Sequence, residues 1–183
     1  LRALLPPEGP VLVLGVGNRR ITADALGPRT VQRILVTMGA APPVRGLRPV
    51  AAVAPGVAAA TGLSLQQLAA ALVGQLRPAA VVCVDSLCSA EGQRLGRTVQ
   101  FSDSGLYPAQ ADHTRHLTRD TLGVPVVAAG IPTLMQAQEG ADLVVTPRAL
   151  DSVIAHGAAL LAGSVNRALQ PRLTVQQLCW LTG

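Results

Sequence analysis

Val11-Leu-Val-Leu-Gly15 is an apolar run that ends in a glycine-containing turn, Val16-Gly-Asn18, and Asp24 follows shortly after it. A second apolar run, Ala79-Ala-Val-Val-Cys-Val84, leads directly into Asp85. Neither run alternates between apolar and polar residues, which is typical of strands buried on both faces of a parallel sheet. Because open α/β sheets build their sites beyond the carboxyl ends of their strands, the sequence predicts that both carboxylates emerge at the same edge of one sheet.

The rest of the chain alternates apolar strands with amphipathic helices. Further strands are predicted at 49–54, 98–101 and 123–130. Helices are predicted from Pro28 to about Met38, from Ser64 to about Leu76, from Pro147 to about Leu169, and over 174–181. The long helix after Pro147 is expected to bury a stripe made of Leu150, Val153, Ile154, Leu160, Leu161, Val165 and Leu169. This alternation predicts an α/β fold with a mostly parallel sheet covered on both faces.

The length of 183 residues predicts a single domain over 1–183, with an N-terminal extension at 1–10, a polar loop at 102–116 and a C-terminal tail at 171–183. The fifteen basic residues are all arginine, and the net charge of +5 is spread along the chain. That spread argues against direct nucleic-acid binding and suits an acidic protein partner. No apolar run reaches the roughly 18 residues of a membrane span. The cysteine pattern favours a reducing compartment, so we expect a cytoplasmic protein.

The two aspartates are the leading candidates for catalysis. Two carboxylates that face each other can share a proton and activate water. Each of them also lies where an aspartate can simply cap a helix. Gly27-Pro28 indicates that the regular helix begins well after Asp24, which leaves that side chain available for chemistry.

Two turn motifs have structural interpretations beside the functional ones. Gly15-Val-Gly-Asn18 begins like a dinucleotide-binding turn, but Arg20 stands where the third glycine of that pattern belongs, which favours a plain tight turn. Ser102-Asp-Ser-Gly105 has the composition of a β-turn.

The polar loop and the cysteines offer alternative chemistry. His113 and His116, together with Asp112, are compatible with a metal site, but a solvated loop fits the same residues. Cys83 lies inside an apolar strand and is expected to be a core residue. No Gly-x-Ser-x-Gly elbow is present, so a serine nucleophile is disfavoured.

Taken together, these segments resemble the germination (spore) protease family, which degrades small acid-soluble spore proteins. The stretches that carry the resemblance occur in the family's order and are 13–18, 21–28, 48–57, 61–62, 84–87, 99–106, 121–127, 130–133 and 144–148. The resemblance implies a three-layer α/β/α fold with a mostly parallel sheet, similar to hydrogenase-maturation proteases. It also implies an aspartic-type endopeptidase whose two essential aspartates fall on Asp24 and Asp85.

The resemblance further implies partners and a place of action. We expect a small protein substrate, a homo-oligomer (tetramer or dimer), no cofactor, no membrane partner and no direct nucleic-acid partner. The family acts in the spore core, so the expected location is the cytoplasm of the spore core or forespore. Substrate contacts are expected from Gly15, Gly17 and Asn18, whose turn amides can steady a tetrahedral oxyanion, and from Asp103 and Ser104.

Several positions depart from the family's pattern. No pro-segment precedes Pro10, so control by autoprocessing is expected to be absent. Leu134–Ala141 nearly closes a gap where the family carries a long insertion, and Ala109-Gln-Ala-Asp-His-Thr114 replaces a glycine-rich stretch. Gln136 stands where the family leads one to expect an aspartate.

These departures leave two alternatives open beside the aspartate-pair endopeptidase. One is a metal-dependent maturation-type peptidase, with Asp24, Asp85 and either His113 or His116 as ligands. The other is a non-catalytic scaffold or binding homologue that kept the fold.

Overall fold

The strands of the computed structural model, which describes residues 1–40, 44–107, 116–136 and 144–183, form one sheet. They are β1 (Val11–Gly15), β2 (Val50–Val53), β3 (Ala80–Ser89), β4 (Gln100–Ser102), β5 (Val126–Gln136) and β6 (Val144–Val145). The α-helices are α1 (Leu26–Val31), α2 (Ala58–Thr61), α3 (Leu65–Leu76), α4 (Arg119–Leu122), α5 (Leu150–Leu169) and α6 (Val175–Thr182). Short 3-10 turns occupy Arg2–Leu4, Thr22–Asp24 and Gly92–Arg94.

The sheet is mostly parallel, as the sequence predicts. Its strands lie in the order β2-β1-β3-β5-β4, and β2, β1, β3 and β5 all run in the same direction. β4 is antiparallel to β5 at one edge, and β6 pairs antiparallel with the far end of β5.

Helices cover both faces of the sheet, which gives three layers. Val11 and Val13 of β1 point into a cluster with Leu26 of α1 and Ile154 of α5. Their neighbours Leu12 and Leu14 point into a second cluster, which contains Leu65 of α3 and Leu122 of α4. The four β1 side chains are fully buried, and burying a side chain of this size stabilises a fold by about 2 kcal/mol. Two-sided burial therefore explains why β1 shows no apolar–polar alternation.

Helix α3 begins and ends where its sequence predicts. Ser64 accepts a hydrogen bond from the Gln67 amide, and the Gln67 side chain accepts one from the Ser64 amide, so the two residues form a capping box. Arg77 ends the helix in the left-handed region at φ 46°, and Pro78 follows.

Helix α1 is shorter than predicted, because it ends at Val31 rather than near Met38. The cause is a tertiary contact with α5. Asn166 is 3% exposed; its Oδ1 accepts from the Leu35 amide at 2.9 Å and its Nδ2 donates to the Arg33 carbonyl at 2.8 Å. These bonds hold the backbone after α1 in a non-helical path, and no local sequence signal reports them.

Strands β3 and β5 extend further than predicted. β3 continues past Val84 to Ser89, and β5 runs to Gln136 rather than ending at Gly130. The two strands pair with each other up to Ser89 and Met135, beyond the point where β1 ends. Each supplies the other's backbone partners, so the pairing persists through residues that are not strongly apolar.

Helix α5 starts at Leu150, after Pro147, and buries most of the predicted stripe. Leu150 and Val153 are half-buried against the core, and Leu160 is 56% exposed. The buried face of α5 also contains small residues outside the predicted stripe, namely Gly157, Ala158 and Ala162, which pack on the sheet. The predicted helix in the C-terminal tail is confirmed as α6.

The first ten residues pack against the domain. Arg48 donates to the Gly9 carbonyl at 2.7 Å and to the Glu8 carbonyl at 2.9 Å, and Leu1 and Leu5 pack against the α1–α5 core. In the part of the chain that the structure describes, none of the helices combines the length and apolarity needed to cross a bilayer.

Replacing Asn166 by alanine tests the contact that ends α1. The N166A variant removes the side-chain partner of the part-buried Leu35 amide and Arg33 carbonyl, so we expect the free energy of unfolding to fall by about 1–2 kcal/mol. Urea denaturation followed by circular dichroism measures it. Ser164 lies on the same helix and is half-buried, and S164A is the control, expected to change stability by less than about 0.5 kcal/mol. Equal losses in the two variants would contradict this explanation.

Candidate active site

Asp85 lies at the position where β3 loses its neighbour β1. The last hydrogen bond between the two segments runs from the Val16 amide to the Val84 carbonyl at 2.8 Å. Asp85 is the next residue; it pairs with Gly130 of β5 on its other side and is 8% exposed. Its Oδ1 accepts from the Ser86 amide at 2.7 Å. The sequence predicts Asp85 just past a strand; it lies inside β3 and just past the end of β1.

Asp24 ends the 3-10 turn that precedes α1. Its Oδ2 accepts a hydrogen bond from the Asn18 amide at 2.7 Å. Ala25, and not Asp24, occupies the N-cap position of α1, which begins at Leu26 and therefore earlier than Gly27-Pro28 suggested. The carboxylate is thus oriented by the turn that follows β1.

Gly17 makes this arrangement possible. Its backbone has φ +117°, a region that side chains disfavour. A Cβ at this position would run into the carbonyl oxygen of Asp24 and would lie 2.9 Å from its Oδ1. The loop after β1 can therefore close over Asp24 only with glycine at this position.

The start of α1 packs against the ends of β1 and β3. A Cβ at Gly27 would collide with the carbonyl oxygens of Val16 and Val84, so the helix backbone lies directly against the ends of both strands. The 3-10 turn that carries Asp24 contacts both β3 and β5. The backbone segments that carry Asp24 and Asp85 therefore pack together at the end of β1, as one packed unit.

Two amides of the turn after β1 donate hydrogen bonds within the protein, and substrate binding by Gly15, Gly17 and Asn18 stays a prediction. The Asn18 amide donates to Asp24 and the Val16 amide donates to Val84. The side chain of Asn18 accepts from the Arg20 amide at 3.0 Å. The Asn18 amide is thus directed at a carboxylate of the protein, and the Gly15–Asn18 turn has the observed role of orienting Asp24.

Asp103 and Ser104 follow β4, which lies at one edge of the sheet. β4 runs opposite to β5, with Gln100 level with Gly130 and Ser102 level with Ala128. The chain after Ser102 therefore moves away from the level of Asp85. Ser104 bonds Ser102 through its hydroxyl at 2.6 Å, as expected for a turn. Substrate binding by these two residues stays a prediction.

The histidines predicted as possible metal ligands are only partly described. His113 and Asp112 lie outside the described residues, as does the stretch 109–114. His116 packs edge-on against Tyr107, with ring centroids 5.0 Å apart. Among residues 1–40, 44–107, 116–136 and 144–183, no three His, Cys, Asp or Glu side chains are grouped as metal ligands.

Cys83 is a core residue, as predicted. It is fully buried in β3, and burial, with a smaller contribution from the Asp85 charge, raises the pKa of its thiol well above the usual range. A thiol held in the neutral form is a poor nucleophile.

Two polar residues near the aspartates have no role assigned from the sequence. Thr133 of β5 is fully buried, and its hydroxyl donates to the Ala23 carbonyl at 2.9 Å. The Ser86 hydroxyl is buried beside Asp85 and bonds no atom of the described residues. The sequence signal for both residues is a hydroxyl side chain within or just after an otherwise apolar run. Charged residues are the more obvious candidates, so this signal is easily overlooked.

A separate groove of about 490 Å³ lies between α5 and α6. Its lining includes Leu160, Val175, Leu178 and Cys179, and the described residues that form it include neither aspartate. Leu160, the exposed member of the predicted α5 stripe, lines this groove.

Replacing Gly17 by alanine tests the closure over Asp24. Gly62 provides a matched control, because it also has positive φ (72°) but a Cβ added there would have no neighbouring atom within 4 Å. We expect G62A to lose about 1 kcal/mol of stability from backbone strain alone. G17A adds the collision with Asp24 and is expected to lose about 3 kcal/mol.

Hydrogen exchange supplies the local readout for this pair of variants. G17A should expose the Asn18 amide, so a peptide covering 16–26 should exchange faster, while β3 peptides away from the turn stay protected. Equal stability losses in G17A and G62A, with no change in exchange, would contradict the assigned role of Gly17.

Comparison with known proteins shows which family this chain is similar to. A family model described as germination protease matches residues 5–139. A germination protease of Clostridium perfringens (strain SM101) is 30% identical over 227 aligned residues, covering 95% of this chain and 70% of the relative. The Halalkalibacterium halodurans germination protease is 40% identical over 152 residues, covering 79% of this chain and 40% of the relative. The Bacillus velezensis germination protease is 32% identical over 175 residues, covering 91% and 46%.

A solved structure supports the fold independently. The crystal structure of a [NiFe] hydrogenase maturation protease, HycI from Thermococcus kodakarensis, superposes with a TM-score of 0.53. It is 20% identical, and the match covers 92% of this chain and 97% of that one. At this identity the likeness confirms the predicted fold and carries nothing about the reaction.

Proposed function

The chain belongs to the germination protease family, a family of peptidases, and we propose that it hydrolyses peptide bonds of small acid-soluble spore proteins through the pair Asp24 and Asp85. The observation that carries the proposal is the packed unit at the end of β1. There, Gly27 lies against the carbonyls of Val16 and Val84, and Val84 directly precedes Asp85. Paired carboxylates are a known device for activating water at an amide.

The proposed reaction needs no covalent intermediate. One carboxylate, ionised, removes a proton from a water molecule, whose oxygen forms a bond to the scissile carbonyl carbon. The other carboxylate, protonated, donates its proton as the carbon–nitrogen bond breaks and the amine leaves. The pair therefore ends the cycle holding one proton, as it began. The Asn18 amide fixes the orientation of Asp24, which such a transfer requires.

The positive net charge of the chain favours an acidic protein as the substrate. The net charge is +5 and all fifteen basic side chains are arginines, which form bidentate hydrogen bonds with carboxylates. An arginine-rich surface speeds the encounter with an acidic partner and makes it sensitive to salt.

The proposal extends to assembly and location. The chain spans 70% of the length of the Clostridium relative and less than half of the Halalkalibacterium and Bacillus relatives. We propose that it acts as a homo-oligomer, in the cytoplasm of the spore core or forespore, without a membrane or nucleic-acid partner. Size-exclusion chromatography with light scattering measures the assembly.

Asparagine substitutions test the aspartate pair. D24N and D85N keep the side-chain shape and remove the acid, so each is expected to lower kcat on a recombinant small acid-soluble spore protein by about a thousandfold or more. Asp120 is exposed in the first turn of α4, and D120N is the matched control, expected to stay within about twofold of wild type. Mass mapping of the fragments measures turnover and cleavage sites.

The same assay separates the proposal from its rivals. Wild-type-like turnover in D24N or D85N would defeat the aspartate pair. We expect prior dialysis against a chelator to leave kcat unchanged. A loss of kcat that is recovered on adding a divalent metal would favour a metal-dependent peptidase. Absence of any defined fragment from the wild-type protein would favour the non-catalytic scaffold.

A further inference from the structure

We propose that Thr133 is a positioning residue, which holds the Asp24 turn at a fixed place relative to Asp85. The segment Gly130–Thr133 of β5 would then set the position of both acids. This inference rests on the proposed function, because it assigns Thr133 a part in the work of the same pair.

Thr133 occupies an irregular position in the β3–β5 pairing. Leu87 of β3 pairs with Pro132 and Cys88 pairs with Leu134, so the register shifts at this point and Thr133 has no residue opposite it. An extra residue of this kind forms a β-bulge, which turns a side chain out of its regular direction. Such bulges are often found next to active sites.

The hydroxyl of Thr133 bonds the backbone that carries Asp24. Thr133 is fully buried, and its Oγ1 donates to the carbonyl of Ala23 at 2.9 Å, across 110 positions of sequence. Ala23 directly precedes Asp24 in the 3-10 turn. The bond therefore holds the turn from the side of β5, while the Asn18 amide holds the Asp24 carboxylate from the side of β1.

The same short segment also fixes Asp85. Gly130, at the start of the segment, is level with Asp85 in the parallel pairing of β3 and β5. A Cβ at Gly130 would collide with the Asp85 carbonyl, so the two backbones are in close contact there. Gly130 fixes the position of the Asp85 backbone, and Thr133 fixes the position of the turn that carries Asp24. The spacing of the two acids thus depends on one stretch of β5.

A purely structural interpretation makes a different prediction. A buried hydroxyl that only satisfies a carbonyl contributes to stability, and its loss lowers the amount of folded protein without changing kcat per folded molecule. A positioning residue affects kcat, because small displacements of a catalytic group slow the reaction steeply, while substrate binding changes little.

Three variants separate these interpretations. T133V keeps the shape and removes the donor, T133S keeps the donor, and T30V removes a matched hydroxyl elsewhere. Thr30 is also fully buried, and its Oγ1 donates to the Leu26 carbonyl at 2.8 Å within α1. We expect T133V to lower kcat by about tenfold to a hundredfold with KM within about twofold. T133S and T30V are expected to keep kcat within about threefold of wild type.

Hydrogen exchange gives a readout that is independent of activity. A peptide covering 18–26 should exchange faster in T133V and remain protected in T133S and T30V. If T133V does not fold, T133A removes the same donor without the branched side chain and is judged by the same criteria.

The outcomes distinguish this inference from the proposed function. If D24N and D85N retain activity, the proposed function fails whatever Thr133 does. If those variants are inactive and T133V has wild-type kcat, only the positioning role is overturned. A T133S variant as impaired as T133V, or a T30V variant with an equal loss of kcat, overturns it as well.

Discussion

The hydrogen bond from the Val16 amide to the Val84 carbonyl, with Gly27 packed against both residues, is the constraint on which the rest of the site depends. It ends the pairing of β1 with β3 one residue before Asp85. It also brings the start of α1 so close to the strands that only glycine fits at 27. The loop between β1 and α1 must then fold back over a short distance, and Asp24 lies in that loop.

The composition of the chain suits this close packing. Aromatic residues make up only 2% of the sequence, and the core is built mainly from alanine, valine and leucine. Small side chains let helix backbones approach the sheet, as at Gly157 of α5, where a Cβ would lie 2.6 Å from Ile131. Close-packed protein interiors transmit small displacements, so groups that touch neither aspartate can still affect the spacing of Asp24 and Asp85.

Much of the fold could be predicted from the sequence, and the failures have physical causes. The two-sided burial of β1, the capping box of α3 and the parallel sheet all leave local patterns. The end of α1 does not, because the bonds from Asn166 arrive from α5. The extension of β3 to Ser89 depends on pairing with β5. For the site, the ends of the apolar runs indicated Asp24 and Asp85 as candidates. The hydrogen bond of the Thr133 hydroxyl could not be predicted, because it depends on the bulge in the β3–β5 pairing.

The central claim is that Asp24 and Asp85 act as one unit, and kinetics of the double variant D24N/D85N test it most directly. Groups that act together in one step are not additive, so the double variant should lose no more kcat than the more impaired single variant. Losses that multiply, so that the double variant equals the product of two independent effects, would contradict the account.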